Sequence, residues 1–505
     1  MSISLRIASK FRKNCLLILT LTSFLPGFAE TAPNDINQIN PCPTEYRNHF
    51  SYLELWEELG FNRLETDEFI DLLSQLVDLE ELDLKYIYLD NLNQFIENPP
   101  SLPKLKSLKI DESMSQDLSW ILSYPALENL SITGFTSLDL APLSQLKHLS
   151  KLELVTWESD ATVVHGDQLP TSLKTLILFH CKIDPHELNH LRLKELQLSS
   201  EFIAQLPQKE SLTDLVSLNI TSSSIRDLNP IQDNHSLKIF EYSFPNEEGS
   251  EANFEVLATL PNLEELTLIE FPQSQSKFQA ATQGLSKLQK LMLTGNELND
   301  LSFLNANNLQ FLATSGKLLP TLPTTVLSSP SLVKIFTFLL AREDSNFICD
   351  HISPNLRELD LAVSEYCDLA KLSRFPLEIL LCADVVSIEN KMHLLALAPT
   401  LQKLSVRENV LHSMIETHGE DALEAFVKLN SLQIYLDDSG NNSSLDYLAR
   451  FPSLKELEIG KAERLTSSDL DIFYEMKNLK SLEIWDAPEE LDEKIQELER
   501  FINLF

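Results

Sequence analysis

Residues 288–304 read LQKLMLTGNELNDLSFL, with leucines at positions 288, 291, 293, 298, 301 and 304. Successive leucines are therefore three, two, five, three and three residues apart. Side chains on one face of a strand repeat every two residues and those on one face of a helix about every 3.6, so neither element alone produces this series. A short strand, a tight turn and a short helix in succession do produce it. The stretch therefore predicts one strand–turn–helix unit.

The LxxLxL core of this stretch, often with another apolar residue at one leucine position, recurs eighteen times, with starts 20 to 28 residues apart. The second and third apolar residues of a core point to one face of a strand, and the residues between them point to the other. Upstream of each core, apolar residues step by three, as in a 3₁₀ or short α-helix. This period indicates a solenoid, in which each repeat buries its apolar side against its neighbours. The cores begin at Leu79, Leu105, Leu127, Leu149, Leu173, Leu193, Leu215, Leu237, Leu263, Leu288, Leu309, Leu332, Leu356, Leu377, Leu401, Leu429, Leu454 and Leu479.

The repeats resemble the leucine-rich repeat family, in its 22-residue subclass seen in bacterial internalins, over about residues 79–490. The resemblance implies an α/β fold: a curved solenoid with a parallel sheet on the concave side and short helices or 3₁₀ turns on the convex side. The family's turn asparagine, which satisfies buried backbone groups, occurs here only at Asn296 and Asn409. Elsewhere the position holds other residues, among them Phe135, Trp157, Cys181, Phe271 and Val385. Those turns must find their hydrogen bonds in another way.

The segments outside the array indicate export and capped ends. A basic start and an apolar run too short to span a bilayer predict a signal peptide cleaved after Ala29. Residues 50–78 read as two amphipathic helices, the second with Thr66 as N-cap, and the final helix would bury Leu491, Ile495, Leu498 and Ile502. The predicted division is 1–29 signal peptide, 30–78 leader and helical N-terminal cap, 79–488 repeat array, and 489–505 helical C-terminal cap.

The charge and the cysteines narrow the class of protein. With 40 basic and 75 acidic residues the net charge is −35, which argues against a nucleic-acid partner and predicts a self-repelling monomer. No second apolar stretch has membrane length, so we expect a secreted, periplasmic or cell-surface protein without a membrane span after cleavage.

The absence of clustered cysteines flanking the array favours a bacterial protein. Cys349 and Cys367 are the nearest candidates for a disulfide, whereas Cys181 and Cys382 fall at inward positions and should fill the core.

One motif has the pattern of a zinc peptidase. The stretch HELNH begins at His186, and two histidines four residues apart could bind Zn²⁺ from one helix face. Glu187 would then act as general base, with Glu210 as a third ligand. The same stretch also reads as an ordinary short helix, in which Asp184 caps and Glu187 completes a capping box. Since the helix has under two turns and no other catalytic motif is present, we predict a non-catalytic protein without cofactor or metal and keep the zinc peptidase as a distant alternative.

The residues between the inward leucines predict where a partner binds. In the first four and last two repeats they are mostly polar, whereas in the middle they form an apolar strip inside an acidic rim. Large apolar surfaces mark interaction sites, so we predict a module that binds another protein through its concave sheet, with a structural envelope component as the alternative. A slipped register would instead make Phe336 and Phe338 ordinary core. The apolar strip comprises Ile239, Ile269, Met292, Phe311, Phe336, Phe338, Ile379 and Leu381.

Overall fold

A computed structural model describes residues 49–502 except 52–65, 86–90, 112–113, 115–116, 137, 157–161, 244–251, 270–274, 295–297, 305–307, 316–317, 319–320, 339–350, 363, 365, 386 and 437–443. The chain forms two compact units, an N-terminal unit ending at Leu260 and a C-terminal unit beginning at Pro261. The proposed signal peptide, Asn296 and Cys349 lie outside the described residues. No helix in the described part of the chain is long and apolar enough to cross a membrane.

The strands of the N-terminal unit pair in parallel in chain order. They are β1 His49–Ser51, β2 Glu81–Asp83, β3 Ser107–Asp111, β4 Asn129–Thr133, β5 Lys151–Val155, β6 Val163–Val164, β7 Thr175–Phe179, β8 Lys182–Ile183, β9 Glu195–Ser199, β10 Ser217–Thr221 and β11 Ile239–Ser243. Strands β6 and β8 form a separate short parallel pair, and the others form one ladder. All eight predicted cores in this unit are strands.

The C-terminal unit has the same arrangement. Its strands are β12 Glu265–Ile269, β13 Lys290–Thr294, β14 Phe311–Ser315, β15 Lys334–Phe338, β16 Glu358–Ala362, β17 Tyr366–Asp368, β18 Ile379–Leu381, β19 Ser387–Glu389, β20 Lys403–Arg407, β21 Ser431–Tyr435, β22 Glu456–Gly460 and β23 Ser481–Ile484. Strands β17 and β19 pair with each other, and the remaining ten form a parallel ladder. These ten strands are the ten predicted cores of the unit.

Short helices connect the strands, most of them a single 3₁₀ turn or two. The α-helices are α1 Thr66–Gln75, α2 Leu92–Glu97, α3 Gln275–Thr282, α4 Thr324–Leu327, α5 Leu369–Leu372, α6 Leu394–Leu397, α7 Glu408–His418 and α8 Asp492–Ile502. The 3₁₀ helices are Leu118–Ser123, Ala141–Gln145, Gly166–Gln168, Pro185–Leu188, Lys209–Ser211, Asn229–Ile231, Phe254–Thr259, Lys391–His393, Glu420–Ala425, Asp446–Arg450, Asp469–Tyr474 and Glu489–Leu491. Each unit is therefore an α/β leucine-rich-repeat solenoid, as the repeats predict.

The inward leucines make the core. In β13, burial alternates along the strand, with Leu291 and Leu293 fully buried and their neighbours half-buried. Cys181 and Cys382 are buried as expected, and burial raises the pKa of each thiol to about 12, which keeps both in the neutral form. The predicted apolar face of the C-terminal cap is also buried, through Leu491 at the end of the last 3₁₀ helix and Ile495, Leu498 and Ile502 in α8. Burial of apolar area supplies the main stabilisation of such a stack.

The turn after the strand often passes through the left-handed region, which is costly for residues other than glycine. Residues with positive φ at or just after a strand end are Gly134 (76°), His180 (56°), Ser222 (48°), Lys461 (54°) and Asp486 (60°). In two of these turns, side-chain hydroxyl groups donate hydrogen bonds to the backbone carbonyl of the residue that follows the positive-φ residue. The hydroxyls of Thr156 and Thr162 donate to Phe135 O at 3.1 and 3.2 Å, and that of Ser200 donates to Cys181 O at 2.7 Å.

Asn409 is not the buried turn asparagine that the sequence suggests. Helix α7 begins at Glu408 directly after β20, which leaves no room for the left-handed turn. Asn409 is therefore exposed on α7, where its side chain accepts a hydrogen bond from Lys391 Nζ at 3.0 Å. Glu408 turns inward instead and is 4% exposed. It forms an ion pair with Arg464 and lies 3.5 Å from His412 Nε2.

The N-terminal cap also differs from the prediction. Phe50 and Ser51, assigned to a helix by their apolar spacing, lie in β1, which pairs in parallel with β2 and adds a strand to the ladder. Thr66 is the first residue of α1. Its hydroxyl oxygen accepts a hydrogen bond from the backbone N–H of Asn91 at 3.0 Å, so it ties α1 to the start of α2.

Candidate functional site

The open face of each sheet consists of the first, third and fifth residues of every five-residue ladder strand, and it is the face that the resemblance makes concave. In the C-terminal unit, the parallel register places equivalent residues of neighbouring strands side by side, about 4.8 Å apart. The first row contains Glu265, Lys290, Phe311, Lys334, Glu358 and Ile379. The middle row contains Thr267, Met292, Ala313, Phe336, Asp360 and Leu381.

The structure brings most of the predicted apolar strip onto this surface. Met292, Phe336 and Leu381 share the middle row, and Phe311 and Ile379 share the first row. Ile269 ends β12 beside Thr294. Ile239 is the first residue of β11 and belongs to the N-terminal unit. Seven of the eight side chains are half-buried, and that of Phe338 lies outside the described residues.

The register of β15 distinguishes the open face from the core at Phe336, whereas the side chain of Phe338 lies outside the described residues. Ile335 and Thr337 are completely buried, whereas Phe336 between them is half-buried. Because side chains alternate along a strand, Phe336 lies on the open face. Its neighbours in the middle row are Ala313 and Asp360. The register does not slip in this repeat, although its core departs from LxxLxL.

Phe311 is held between two ammonium groups. Lys290 Nζ lies 5.9 Å and Lys334 Nζ 5.5 Å from the centre of its ring. Lys290 also pairs with Glu265 at 3.1 Å, and Lys334 with Glu358 at 2.8 Å. Cation–π contacts of this kind contribute about 0.5–1 kcal/mol at exposed sites. The first row thus has an aromatic ring at its centre, a lysine on each side of the ring and a glutamate beyond each lysine.

Asp360 places a carboxylate in the middle of the apolar row, between Phe336 and Leu381. Burial raises the pKa of the Asp360 carboxyl. The positive charge of Lys334 lowers this pKa, and the negative charge of Asp384 raises it further. Within the described part of the chain, Asp360 forms no hydrogen bond or ion pair. A carboxylate that is partly desolvated and flanked by apolar side chains would gain from a cationic partner group.

Sequence reasoning missed a second group on the same open face. Arg407, Tyr435 and Gly460 are side by side at the ends of β20, β21 and β22. A Cβ atom on Gly460 would lie 3.1 Å from the Tyr435 ring, so the glycine lets the ring lie flat against the sheet. Arg407 Nε donates to Ala383 O at 3.0 Å. The alternation within LQIYL, with Leu432 and Ile434 buried, is the signal that places Tyr435 on the open face.

The HELNH residues do not form a zinc site in the described residues. The helix Pro185–Leu188 is 3₁₀ and ends before His190, so the two histidines do not lie one turn apart on a single α-helical face. Both ring nitrogens of His190 lie near backbone oxygens, Glu187 O at 2.8 Å and Leu169 O at 2.9 Å. Asp184 caps the helix through the N–H of His186, as the ordinary reading predicts.

Glu187 does not complete the predicted capping box, because its carboxylate faces the preceding repeat. Its carboxylate accepts a hydrogen bond from Gly166 N at 2.6 Å and lies within 4.8 Å of potential ligand atoms of His165 and Asp167. Gly166 is buried, and a Cβ there would lie 3.0 Å from Ile183 and Leu188 side-chain atoms. His165 and Asp167 are exposed. The carboxylate therefore has a structural role, joining two successive repeats, and the exposed group around it is not assigned to a metal.

The sequence matches no model of a known protein family, and a search of curated proteins gives no match. Solved structures with a similar fold include an internalin from Listeria monocytogenes, 16% identical, with 70% of this chain and 81% of that chain covered and a TM-score of 0.32. The TLR13–ssRNA13 complex is 18% identical, with 81% and 71% covered and a TM-score of 0.46. A leucine-rich-repeat protein of Leptospira interrogans is 17% identical, with 89% and 97% covered and a TM-score of 0.34.

Proposed function

We propose that the chain is a non-catalytic module that binds another protein through the open face of its C-terminal unit. The observation that carries the proposal is the middle row, in which Met292, Phe336 and Leu381 lie on the solvent side of a sheet whose inward side is filled with leucine. Apolar side chains on that side add nothing to the core. They gain most when a partner removes them from water.

The polar residues around the row define the partner's chemistry. The ring of Phe336 and the carboxylate of Asp360 are adjacent, so a lysine or arginine side chain could contact both. Apolar side chains of the partner would cover Met292 and Leu381. We therefore propose a partner surface that is basic at its centre and apolar around it, which also suits the net charge of −35.

We also propose that the protein is exported as a monomer. The basic start, the apolar run and the cleavage position after Ala29 support a signal peptide. Secreted material should then begin at Glu30 in N-terminal sequencing, and full-length protein in the membrane pellet would contradict export. A structural envelope component should instead remain with the cell fraction and self-associate, which sedimentation analysis of the purified chain would detect.

Capture of proteins from the natural environment tests the binding site. Three proteins would be immobilised: the wild-type chain, the Phe336→Asp variant and the Ile177→Asp variant. The proteins that each one captures would be identified by mass spectrometry. Ile177 is the matched control because it is half-buried at the middle of β7, on the open face of the N-terminal unit. We expect a partner that the wild type and Ile177→Asp retain and that Phe336→Asp loses. Equal loss in both variants, or none in Phe336→Asp, would contradict the proposal.

A further inference from the structure

Four lysines line one groove in this otherwise acidic protein. The groove has a volume of about 540 Å³ and lies at the loops that lead into β21, β22 and β23. Lys428, Lys455, Lys477 and Lys480 face it, and none of its lining residues is acidic. Grooves of roughly 300–1,000 Å³ accommodate small-molecule ligands. The site is separate from the open face, because these lysines precede the strands.

None of the four lysines forms an ion pair with a described residue, and for Lys455 and Lys480 the repeat geometry explains why. In the N-terminal unit, a lysine one residue after the first core leucine, Lys106, pairs with Glu80 at 2.8 Å, its equivalent in the previous repeat. Lys455 occupies the same position as Lys106, but its equivalent in the previous repeat is Asn430. For Lys480 the equivalent is Lys455 itself. The carboxylate partner is thus replaced first by an amide and then by a second cation.

Three acidic side chains of the 3₁₀ helix that precedes β21 lie beside an arginine outside the groove. Glu420, Asp421 and Glu424 all lie within 4 Å of the Arg450 guanidinium, at 3.8, 3.9 and 3.7 Å. They therefore direct their charge toward Arg450. The lysine charges in the groove repel one another, and an anion bound among them would relieve this repulsion.

The groove also has a fixed framework and an apolar wall. Asn478 Nδ2 donates to Pro452 O at 3.0 Å and Ser453 Oγ donates to Val427 O at 2.8 Å, so successive loops are tied together. Val427 is 56% exposed and lines the groove beside Pro452. A ligand could therefore place charged groups against the lysines and a carbon skeleton against Val427.

We infer that this groove binds a small anion carrying at least two phosphate or sulfate groups. Such groups accept charge-assisted hydrogen bonds from ammonium donors, and two or more of them can engage lysines on neighbouring repeats at once. A singly charged anion would contact only part of the groove. The acidic remainder of the surface repels anions at long range, so binding depends on these local contacts and weakens as salt screens them.

Titration calorimetry of the full chain at low salt tests the inference with two probes, inorganic tripolyphosphate and a trisulfated disaccharide. We expect one site, with affinity at least tenfold lower in Lys455→Gln/Lys480→Gln. The control is Lys174→Gln/Lys194→Gln, an exposed lysine pair at the same repeat position in the N-terminal unit, and it should bind like the wild type. Binding of tripolyphosphate alone assigns a phosphate ligand, binding of the disaccharide alone a sulfated one, and binding of both a site that recognises charge.

Acetylation footprinting of the wild-type chain provides a second readout that needs no variant. Saturating tripolyphosphate or disaccharide should protect Lys455 and Lys480 from acetylation and leave Lys174 and Lys194 reactive. The inference is overturned if neither probe binds at low salt, if both double variants lose affinity equally, or if a bound probe protects all four lysines to the same extent.

Discussion

The open faces of the two units differ although their inward faces are alike. In β2–β4 of the N-terminal unit the open face is polar, and Lys109 pairs with Asp83 at 3.2 Å. In β13–β18 of the C-terminal unit the same positions hold Met292, Phe336 and Leu381. The inward leucines determine that both regions fold as repeats. The alternate positions are free to vary, and it is there that the two units differ.

The largest difference in stability should be between substitutions on the inward and the open face of β15. Ile335→Asp would bury a carboxylate in the core and cost more than about 4 kcal/mol, enough to unfold the C-terminal unit. Phe336→Asp, one residue along, should cost about 1 kcal/mol because its side chain is only half-buried. Thermal unfolding followed by circular dichroism would compare them. Similar losses of stability would mean that Phe336 belongs to the core.

The second comparison is between the stability contributed by a buried ion pair in the C-terminal unit and by a more exposed ion pair in the N-terminal unit. Glu408→Ala leaves the Arg464 guanidinium, 17% exposed, without its carboxylate, and we expect a loss of about 3–5 kcal/mol. Asp83→Ala removes the partner of Lys109, whose side chain is 44% exposed, and should cost about 1 kcal/mol or less. Urea unfolding of both variants gives the two free energies. A Glu408→Ala loss no larger than that of Asp83→Ala would show that the buried pair contributes little.

A smaller difference in the free energy of unfolding is expected between substitutions of two buried threonines. Thr156, in the N-terminal unit, donates to Phe135 O, whereas the hydroxyl of Thr337 in the C-terminal unit has no hydrogen-bond partner among the described residues. Thr156→Val should therefore cost about 1–2 kcal/mol, and Thr337→Val should be neutral or stabilising. Both substitutions keep the side-chain shape, so differences in packing are small. Equal losses in urea unfolding would contradict the assigned hydrogen bonds.

The smallest effect should come from Asp360 and should depend on pH. Burial raises the pKa of this carboxyl in the folded state. At a pH above that pKa the carboxyl is charged, and the charge lowers the stability of the folded state. Asp360→Asn should raise the thermal midpoint slightly at neutral pH. The gain should disappear as pH falls through the carboxyl pKa, since the wild-type group is then neutral as well. A gain that stays constant with pH would exclude the charge as its cause.

The sequence predicted the ladder strands because each LxxLxL core contains its own alternation. It did not predict β1, because His49–Ser51 has no leucine core. The inward turn of Glu408 was also missed, since it depends on α7 beginning without a turn and on Arg464, 56 residues away. The lysine groove depends on which charges neighbouring repeats place opposite each other, and the core pattern carries no information about that.

Site-specific photo-crosslinking tests the central claim most directly. The photoreactive residue p-benzoylphenylalanine would be placed at position 336 in one protein and at position 177 in another, and each would be irradiated with the captured partner. We expect the partner to crosslink through position 336, on the open face of the C-terminal unit, and not through position 177. A partner that crosslinks at position 177, or that is captured by the wild type but never crosslinks at position 336, would contradict the account.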